Sequence, residues 1–479
     1  MQFYPSISMR AGIALSSLVF AATQSAYASD VPNPTVVGPV PVHAEPGDPS
    51  HDYVFFTPQQ DLADYGYVEE EFFMEGTAST YDTSGAKEGT VTSGDHPYRT
   101  RLVVRRPAAT SDFNGTVLLE WQNVSAGYET DAHWAPSWDH LIAGGYAWIG
   151  VSAQRVGVHG NTDTEVNNGL RAWSPTRYGS LDVTDNGEVT DDGLCYDIFS
   201  QAAKAVRSPT TVDVLGGLAV KEVIAIGASQ SASRLSVYHN AIHPLHEVVD
   251  AFYLLVGGSG LRTDLDVKVF QFLSETDLGR GPTRRMADSA HFRSWEVAGS
   301  AHSSFFSDIY RSPLTIREFG ARQFPPDCDQ PPFSRVRSYF VINHQYDLLV
   351  RWLRQGTPPP VAPKLEFTDD VEAPLLVRDA YGIARGGIRL PEVDVPTALQ
   401  SGANSGAAFC LLYGTYQPFT REQLQQLYPS KRDYVRQVRR VARRNAEAGY
   451  ISQRSVWRIT LDALREDLNP SEEPSPPEP

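Results

Sequence analysis

Cysteine is scarce: Cys195, Cys328 and Cys410 are the only three in 479 residues. That excludes a disulfide-built scaffold, and a chain of this length buries a sizeable core without one. Beyond the N-terminal region no stretch holds about 18 consecutive apolar residues, so no membrane-spanning helix is expected in the mature chain. Basic residues are outnumbered, with 41 Lys and Arg against 57 Asp and Glu and a net charge of −16. Sequence-independent nucleic-acid binding needs a basic footprint and is not expected. No Gly-rich phosphate loop stands out, and no repeat recurs at periods of 20–50 residues. A hydrophobic fraction of 41% with 20% charge excludes disorder for the bulk of the chain.

What is present begins with an address. Arg10 precedes an apolar run from Ala11 to Ala22, and Ala26-Tyr27-Ala28 follows. A charged start, a short apolar core and an A-x-A site form a secretory signal, which predicts cleavage after Ala28 and a secreted or periplasmic protein. In that oxidising setting two of the cysteines can pair; which two, or whether all three are buried thiols, is left open. Residues 29–50, rich in Pro and Gly, read as an extended arm, and the Pro/Glu/Ser tail 469–479 as disordered.

Between them, short apolar runs alternate with helical stretches. Gly66–Tyr81 and Pro97–Pro107 read as β segments. Gly115–Trp121, Tyr146–Val151, Glu222–Ile226, Val248–Val256, Val267–Leu273 and Phe292–Val297 read as buried strands. Helices are predicted through Trp138–Ile142 and over Tyr196–Val206, Ser231–Ile242, Ser338–Arg354, 420–428 and 430–448. This pattern predicts an α/β fold: a mostly parallel central sheet flanked by helices, with N-terminal β additions and a C-terminal helical extension over 311–468. Residues 155–195 form a polar insertion.

The chemistry concentrates where the strand ending at Ile226 runs through Gly227-Ala228-Ser229-Gln230-Ser231 into a helix. A strand, Gly-x-Ser-x-Ser and a helix make a nucleophile elbow whose last Gly is replaced by Ser. Ser229 is the candidate nucleophile, and the Gln230 N–H, at the helix start, a candidate oxyanion donor. A serine hydroxyl needs a base oriented by an acid, and on such a sheet the chain order is nucleophile, acid, histidine. His302 follows the turn after the Phe292–Val297 strand and is the candidate base. Ser274-Glu275-Thr276-Asp277 follows the preceding strand and offers two acids, Asp277 favoured and Glu275 its rival. The loop after Trp121 holds Asn123 and Val124, candidates for the second oxyanion donor. Trp173 and Tyr128 are candidate substrate-binding residues, and Trp134 and Trp138 further candidates for the pocket wall. The lid is expected from 155–195 or from the segment after His302.

Five stretches resemble one family of secreted α/β-hydrolase-domain serine hydrolases: Glu120–Gly127, Gly150–Gly157, Gly227–Ser231, Trp295–His302 and Tyr381–Pro391. The resemblance spans about residues 50–465. It implies an α/β-hydrolase fold, a single catalytic unit over 51–468 and a serine hydrolase of ester type, but gives no substrate. With the candidate residues above, the expected reaction is hydrolysis of a small-molecule or polymeric carboxylic ester through an acyl-enzyme on Ser229, with no cofactor. An amidase or thioesterase on the same residues, or a binding protein on a silent hydrolase fold, are the alternatives. Other features carry less. His239, His243 and His246 lack zincin spacing. Asp182, Asp185, Asp191 and Asp192 depart from a calcium-loop pattern, so no metal is expected. The basic stretch Lys431–Arg444 reads as a solvated helix face.

Overall fold

Nine strands hydrogen-bond into one sheet: β1 (Thr35–Val37), β2 (Tyr67–Asp82), β3 (Thr90–Pro107), β4 (Thr116–Trp121), β5 (Ala147–Val151), β6 (Glu222–Ala228), β7 (Ala251–Leu255), β8 (Lys268–Ser274) and β9 (Phe292–Val297). The computed structural model describes residues 31–161, 166–279, 281–322 and 327–468. The signal peptide predicted over 1–28 and the tail 469–479 therefore lie outside the described residues. The strand order is β1-β2-β3-β5-β4-β6-β7-β8-β9. β1, β2 and β3 are antiparallel to their neighbours, and β5 through β9 run parallel. The continuous apolar runs make sense in this setting, because parallel strands covered on both faces bury every side chain. All residues of β4, β5, β6, β7 and β9 are buried.

Alternation along β7 shows the two helical layers. Tyr253 meets His133, which precedes α1 (Trp134–Ala143), and Tyr346. Its neighbour Phe252 points to the opposite face and meets Tyr238 and His239. That opposite face carries α2 (Cys195–Arg207) and α3 (Gln230–Val237). α3 is shorter than the sequence pattern predicts. It passes through a π turn at Tyr238–Ile242 before Pro244, and this one-residue widening buries His239 and His243 against Phe252. Those histidines are packing residues; burial pushes His243 down to about 3 and keeps it neutral. After β9 come α4 (Phe305–Phe319), α5 (Tyr339–Gln355), α6 (Lys431–Glu447) and α7 (Gln453–Arg465), and α5 packs on α1 and β8. Within the extension, Ala398–Ser401 pairs with Thr415–Pro418 as a small two-stranded antiparallel sheet.

Three features depart from the sequence expectation. The arm is not wholly irregular: β1 pairs with β2 and buries Val36. Helix α4 is unanticipated, because Pro313 stands inside it and its polar residues mask the helical period. Arg101 and Arg105 on β3, for which the sequence reading gives no partner, are buried, 1% and 2% exposed. Arg101 pairs with Glu71 and Glu129, and Arg105 with Glu69 and Asp131. Both guanidiniums lie over aromatic faces, Arg105 on Trp134 and Trp148 at 4.8 and 4.5 Å. Buried arginines are tolerated only when paired this fully.

Candidate active site

β6 ends at Ala228, and Ser229 follows with φ 55° and ψ −113°. Positive φ in a residue with a Cβ stores roughly 1–3 kcal/mol of strain, held here by the packing around it. The Ser229 N–H donates to Leu255 O at 2.9 Å, and its carbonyl accepts from Ser233 N–H at 3.0 Å. Two glycines permit the turn. A Cβ on Gly227 would stand 3.0 Å from the Ser231 backbone, and one on Gly257 would stand 2.7 Å from Ser229 O. Ser231 does more than stay small. Its hydroxyl donates to Ala228 O and accepts from Ala228 N–H, each at 2.9 Å, so it clips the turn shut. That explains a serine where the pattern has glycine. The Ser229 Oγ itself bonds nothing among the described residues.

His302 reaches Asp277: Nδ1 lies 2.7 Å from Oδ1. The other oxygen, Oδ2, accepts from the Ser274 N–H at 2.8 Å and from the Ser274 hydroxyl at 2.6 Å. This is a capping box at the short helix Glu275–Leu278, and it fixes the carboxylate. Glu275, the rival acid, points elsewhere. Its Oε1 meets Arg378 at 2.9 Å and the Ser401 hydroxyl at 3.1 Å, and Oε2 accepts the Gly299 N–H at 2.7 Å. It ties β8 to the turn before His302 and to the C-terminal extension. Thr276, between the two acids, accepts the His302 N–H at 3.2 Å and donates to Gly402 O at 2.6 Å.

Of the oxyanion candidates, Asn123 is already engaged. Its backbone N–H donates to Thr130 O, and its side-chain amide donates to Ala228 O at 2.9 Å while accepting from Ser125 N–H. One of its two amide hydrogens thus braces the loop to the elbow. The Val124 and Gln230 N–H groups donate to nothing among the described residues, and Gln230 opens α3, where helix geometry leaves the N–H unpartnered. The Gln230 side chain donates to Gln154 at 3.0 Å.

Ser229, His302, Asn123 and Tyr128 line one cavity of about 270 Å³. Its far wall comes from α4 and from Phe409, Leu412 and Tyr413. Among the described residues the insertion 155–195 contributes nothing to it, whereas the segment after His302 lines it. Trp173 is likewise elsewhere. It stacks on His51 at 4.3 Å and packs edge-on to Tyr53 and Phe55, where an indole gains more from these rings than from solvent. Trp134 and Trp138 are also absent from the wall; Trp134 is fully buried under Arg105. The aromatic that lines the cavity is Tyr128, held against Phe56 and Phe319.

The Cys328–Cys410 disulfide closes 82 residues and leaves Cys195 as a buried thiol. Cys410 opens the short helix that carries Leu412 and Tyr413 into the wall. Loop-closure entropy for this span is worth about 4 kcal/mol. Reduction, or the double change Cys328→Ser with Cys410→Ser, is therefore expected to lower the melting temperature by several degrees. It also loosens one wall, so KM should rise more than kcat falls. Melting and steady-state kinetics with and without dithiothreitol check this.

Beneath the cavity floor, Glu120 on β4 is fully buried. It accepts from the Trp148 indole at 2.7 Å and the His133 N–H at 3.0 Å. Burial first, and nearby Asp131 second, push its carboxyl up to about 8, while burial pulls His133 down to about 4. The folded protein thus keeps a proton that the unfolded chain releases near 4.5. This group's contribution to stability is present at acidic pH and falls as pH rises from about 4.5 towards about 8. Glu120→Gln cannot titrate. Thermal unfolding at pH 5, 6.5 and 8 should show the variant gaining on the wild type by about 1–3 kcal/mol across that range. The pH-independent part of the difference reads only the amide's fit.

Comparison with known proteins places this architecture. A family model described as "Alpha/beta hydrolase domain" matches residues 36–460. The chain belongs to that α/β-hydrolase-domain family, which is the class that the sequence resemblance indicates. Among solved structures, acetyl xylan esterase 1 from Thermoanaerobacterium sp. JW/SL YS485 is similar at 12% identity over 48% of this chain and 75% of that one, with a TM-score of 0.27. An esterase from Rhizomucor miehei is similar at 12% identity over 53% and 82%, with a TM-score of 0.29. A serine hydrolase without a lid from Xanthomonas campestris is similar at 13% identity over 48% and 92%, with a TM-score of 0.27. No curated protein matches. Among the described residues no helix is long and apolar enough to cross a membrane.

Proposed function

We propose that this protein is an exported serine hydrolase that cleaves carboxylic esters. The observation that carries the reading is the relay Ser274–Asp277–His302 opening on the cavity that holds a strained, unbonded Ser229 hydroxyl. Asp277 accepts the Nδ1 proton of His302, which leaves Nε2 as the base. Ser229 Oγ attacks the ester carbonyl and passes its proton to Nε2. The oxyanion rests on the N–H groups of Gln230 and Val124. The imidazolium returns the proton to the leaving alkoxide, and the alcohol departs. Water then gives one proton to Nε2 and adds to the acyl carbon; collapse releases the acid and restores the serine. No step draws on a metal or redox cofactor. Export is supported by the signal-like N-terminus and by the Cys328–Cys410 bond, which needs an oxidising compartment to persist.

The test is a fluorophosphonate label together with 4-nitrophenyl acetate and butyrate. Wild-type protein should hydrolyse the esters and carry the label on the peptide containing Ser229. Folded wild-type protein that does neither would overturn the reading in favour of a binding role.

A further inference from the structure

Helix α4 turns an unusual face to the cavity. Ser304 at its N-cap, then Ser307, Asp308, Arg311, Ser312 and Thr315, line it at spacings of three and four residues. Every one is polar. Beside this stripe the helix buries Leu314 in the core, and one turn beyond Thr315 it holds Glu318 against the Tyr53 hydroxyl at 2.7 Å. A polar stripe pointed inward is the reverse of ordinary helix amphipathicity. It implies a cavity content that offers hydrogen-bonding groups.

Charge narrows that content. Asp308 is answered by Arg322, whose Nη2 lies 2.7 and 2.8 Å from its two oxygens, and by the Ser312 hydroxyl at 3.1 Å. His302 is answered by Asp277. Arg311 is answered by nothing: among the described residues it has no ion pair and no hydrogen bond, and its Nε is buried without a partner. Of the other carboxyls near enough to feel its charge, Asp131 gives Oδ2 to Arg105 at 2.7 Å and keeps Oδ1 buried without a hydrogen bond, and Glu120 is held by the Trp148 indole, so neither bonds Arg311. An arginine at a cavity wall with free donors is a fork for a planar anion, and a carboxylate fits it with two parallel hydrogen bonds. The volume of about 270 Å³ suits a small molecule rather than a long acyl chain.

We propose that Arg311 is the specificity residue of the Ser229 site and that its substrate is a small ester carrying a free carboxylate. This rests on the serine-hydrolase reading above and names its substrate class. The carboxylate sits either on the acyl part, as in a dicarboxylic acid monoester, or on the alcohol part, as in an ester of a hydroxy acid. In both cases it pairs with Arg311 while the ester carbonyl faces Ser229.

Two matched pairs of esters separate these sources: mono(4-nitrophenyl) glutarate against 4-nitrophenyl butyrate, and 3-acetoxybenzoate against phenyl acetate. Wild-type protein should favour the anionic member of at least one pair by roughly ten- to hundredfold in kcat/KM, since a charge-assisted fork is among the stronger polar contacts. Arg311→Met should bring that ratio close to one, mainly through KM, and Arg311→Lys should keep part of it. Higher salt should erode the wild-type ratio. Calorimetry of glutarate binding to Ser229→Ala, with and without Arg311→Met, reads the anion site without turnover. Ester hydrolysis and serine labelling with no anionic preference in either pair would overturn this proposal and leave the serine-hydrolase reading intact. Glutarate binding lost with Arg311→Met in a chain that neither labels nor hydrolyses would overturn the serine-hydrolase reading and the ester substrate with it, and leave Arg311 only as an anion site.

Discussion

Ser229→Ala is expected to abolish ester hydrolysis and labelling while leaving the fold untouched. The size follows from the relay. Triad members act as a unit, so removing the nucleophile forfeits the advantage of all three, about 10⁴- to 10⁶-fold in kcat. What remains is water attack assisted by the oxyanion donors of Gln230 and Val124. The fold should not notice, because the Ser229 Oγ bonds nothing among the described residues and the backbone bonds to Leu255 and Ser233 survive. Alanine also keeps the Cβ that strains the turn. Glycine does not, so Ser229→Gly should be equally inactive yet melt higher than the wild type, since φ 55° costs glycine little. An inactive protein that is more stable than its parent would identify the elbow as strain kept for chemistry. Residual activity above about 1% in Ser229→Ala would place the nucleophile elsewhere.

Most of the sheet was legible because parallel strands buried on both faces write themselves as unbroken apolar runs. β4, β5, β6 and β9 stand where the runs predict them, and the family model agrees with the fold class. The elbow was legible for a different reason: Gly227 is small because a Cβ there would stand 3.0 Å from the Ser231 backbone, Ser231 is small enough to clip Ala228, and such constraints survive in sequence. Helix α4 was not legible. Its cavity face is polar, so the apolar period that marks a helix on a core is broken, and Pro313 reads as a stop. The same inversion hid Arg311. Trp173 misled because an aromatic in a polar insertion suggests a pocket, yet His51, Tyr53 and Phe55, just after the N-terminal arm, surround it, and nothing local reports a partner 120 residues away. The cysteine pairing was hidden likewise, since Cys328 and Cys410 meet only through the packing of the extension.

The two acids of Ser274-Glu275-Thr276-Asp277 could not be separated by spacing, and the test between them has the second largest expected effect. Asp277→Asn should lower kcat by about 10³- to 10⁴-fold with little change in KM. The reason is a proton count. Ser274 presents two donors, its N–H and its hydroxyl, to Oδ2. An asparagine there keeps its carbonyl oxygen towards those donors and turns its NH₂ towards His302. An NH₂ must donate to Nδ1, so the imidazole proton moves to Nε2. Nε2–H faces Ser229 as a donor and cannot take the nucleophile's proton. The geometry is preserved and the chemistry is lost. Glu275→Gln should behave in the opposite way. Its amide still accepts the Gly299 N–H, but the Arg378 charge is left unpaired, so stability should fall by about 1–3 kcal/mol while kcat stays within a few-fold. Melting curves and kcat measured side by side on the two variants separate the roles. A large kcat loss in Glu275→Gln at unchanged stability, with Asp277→Asn near wild type, would exchange them, and the capping box at Ser274 would then be a purely structural feature.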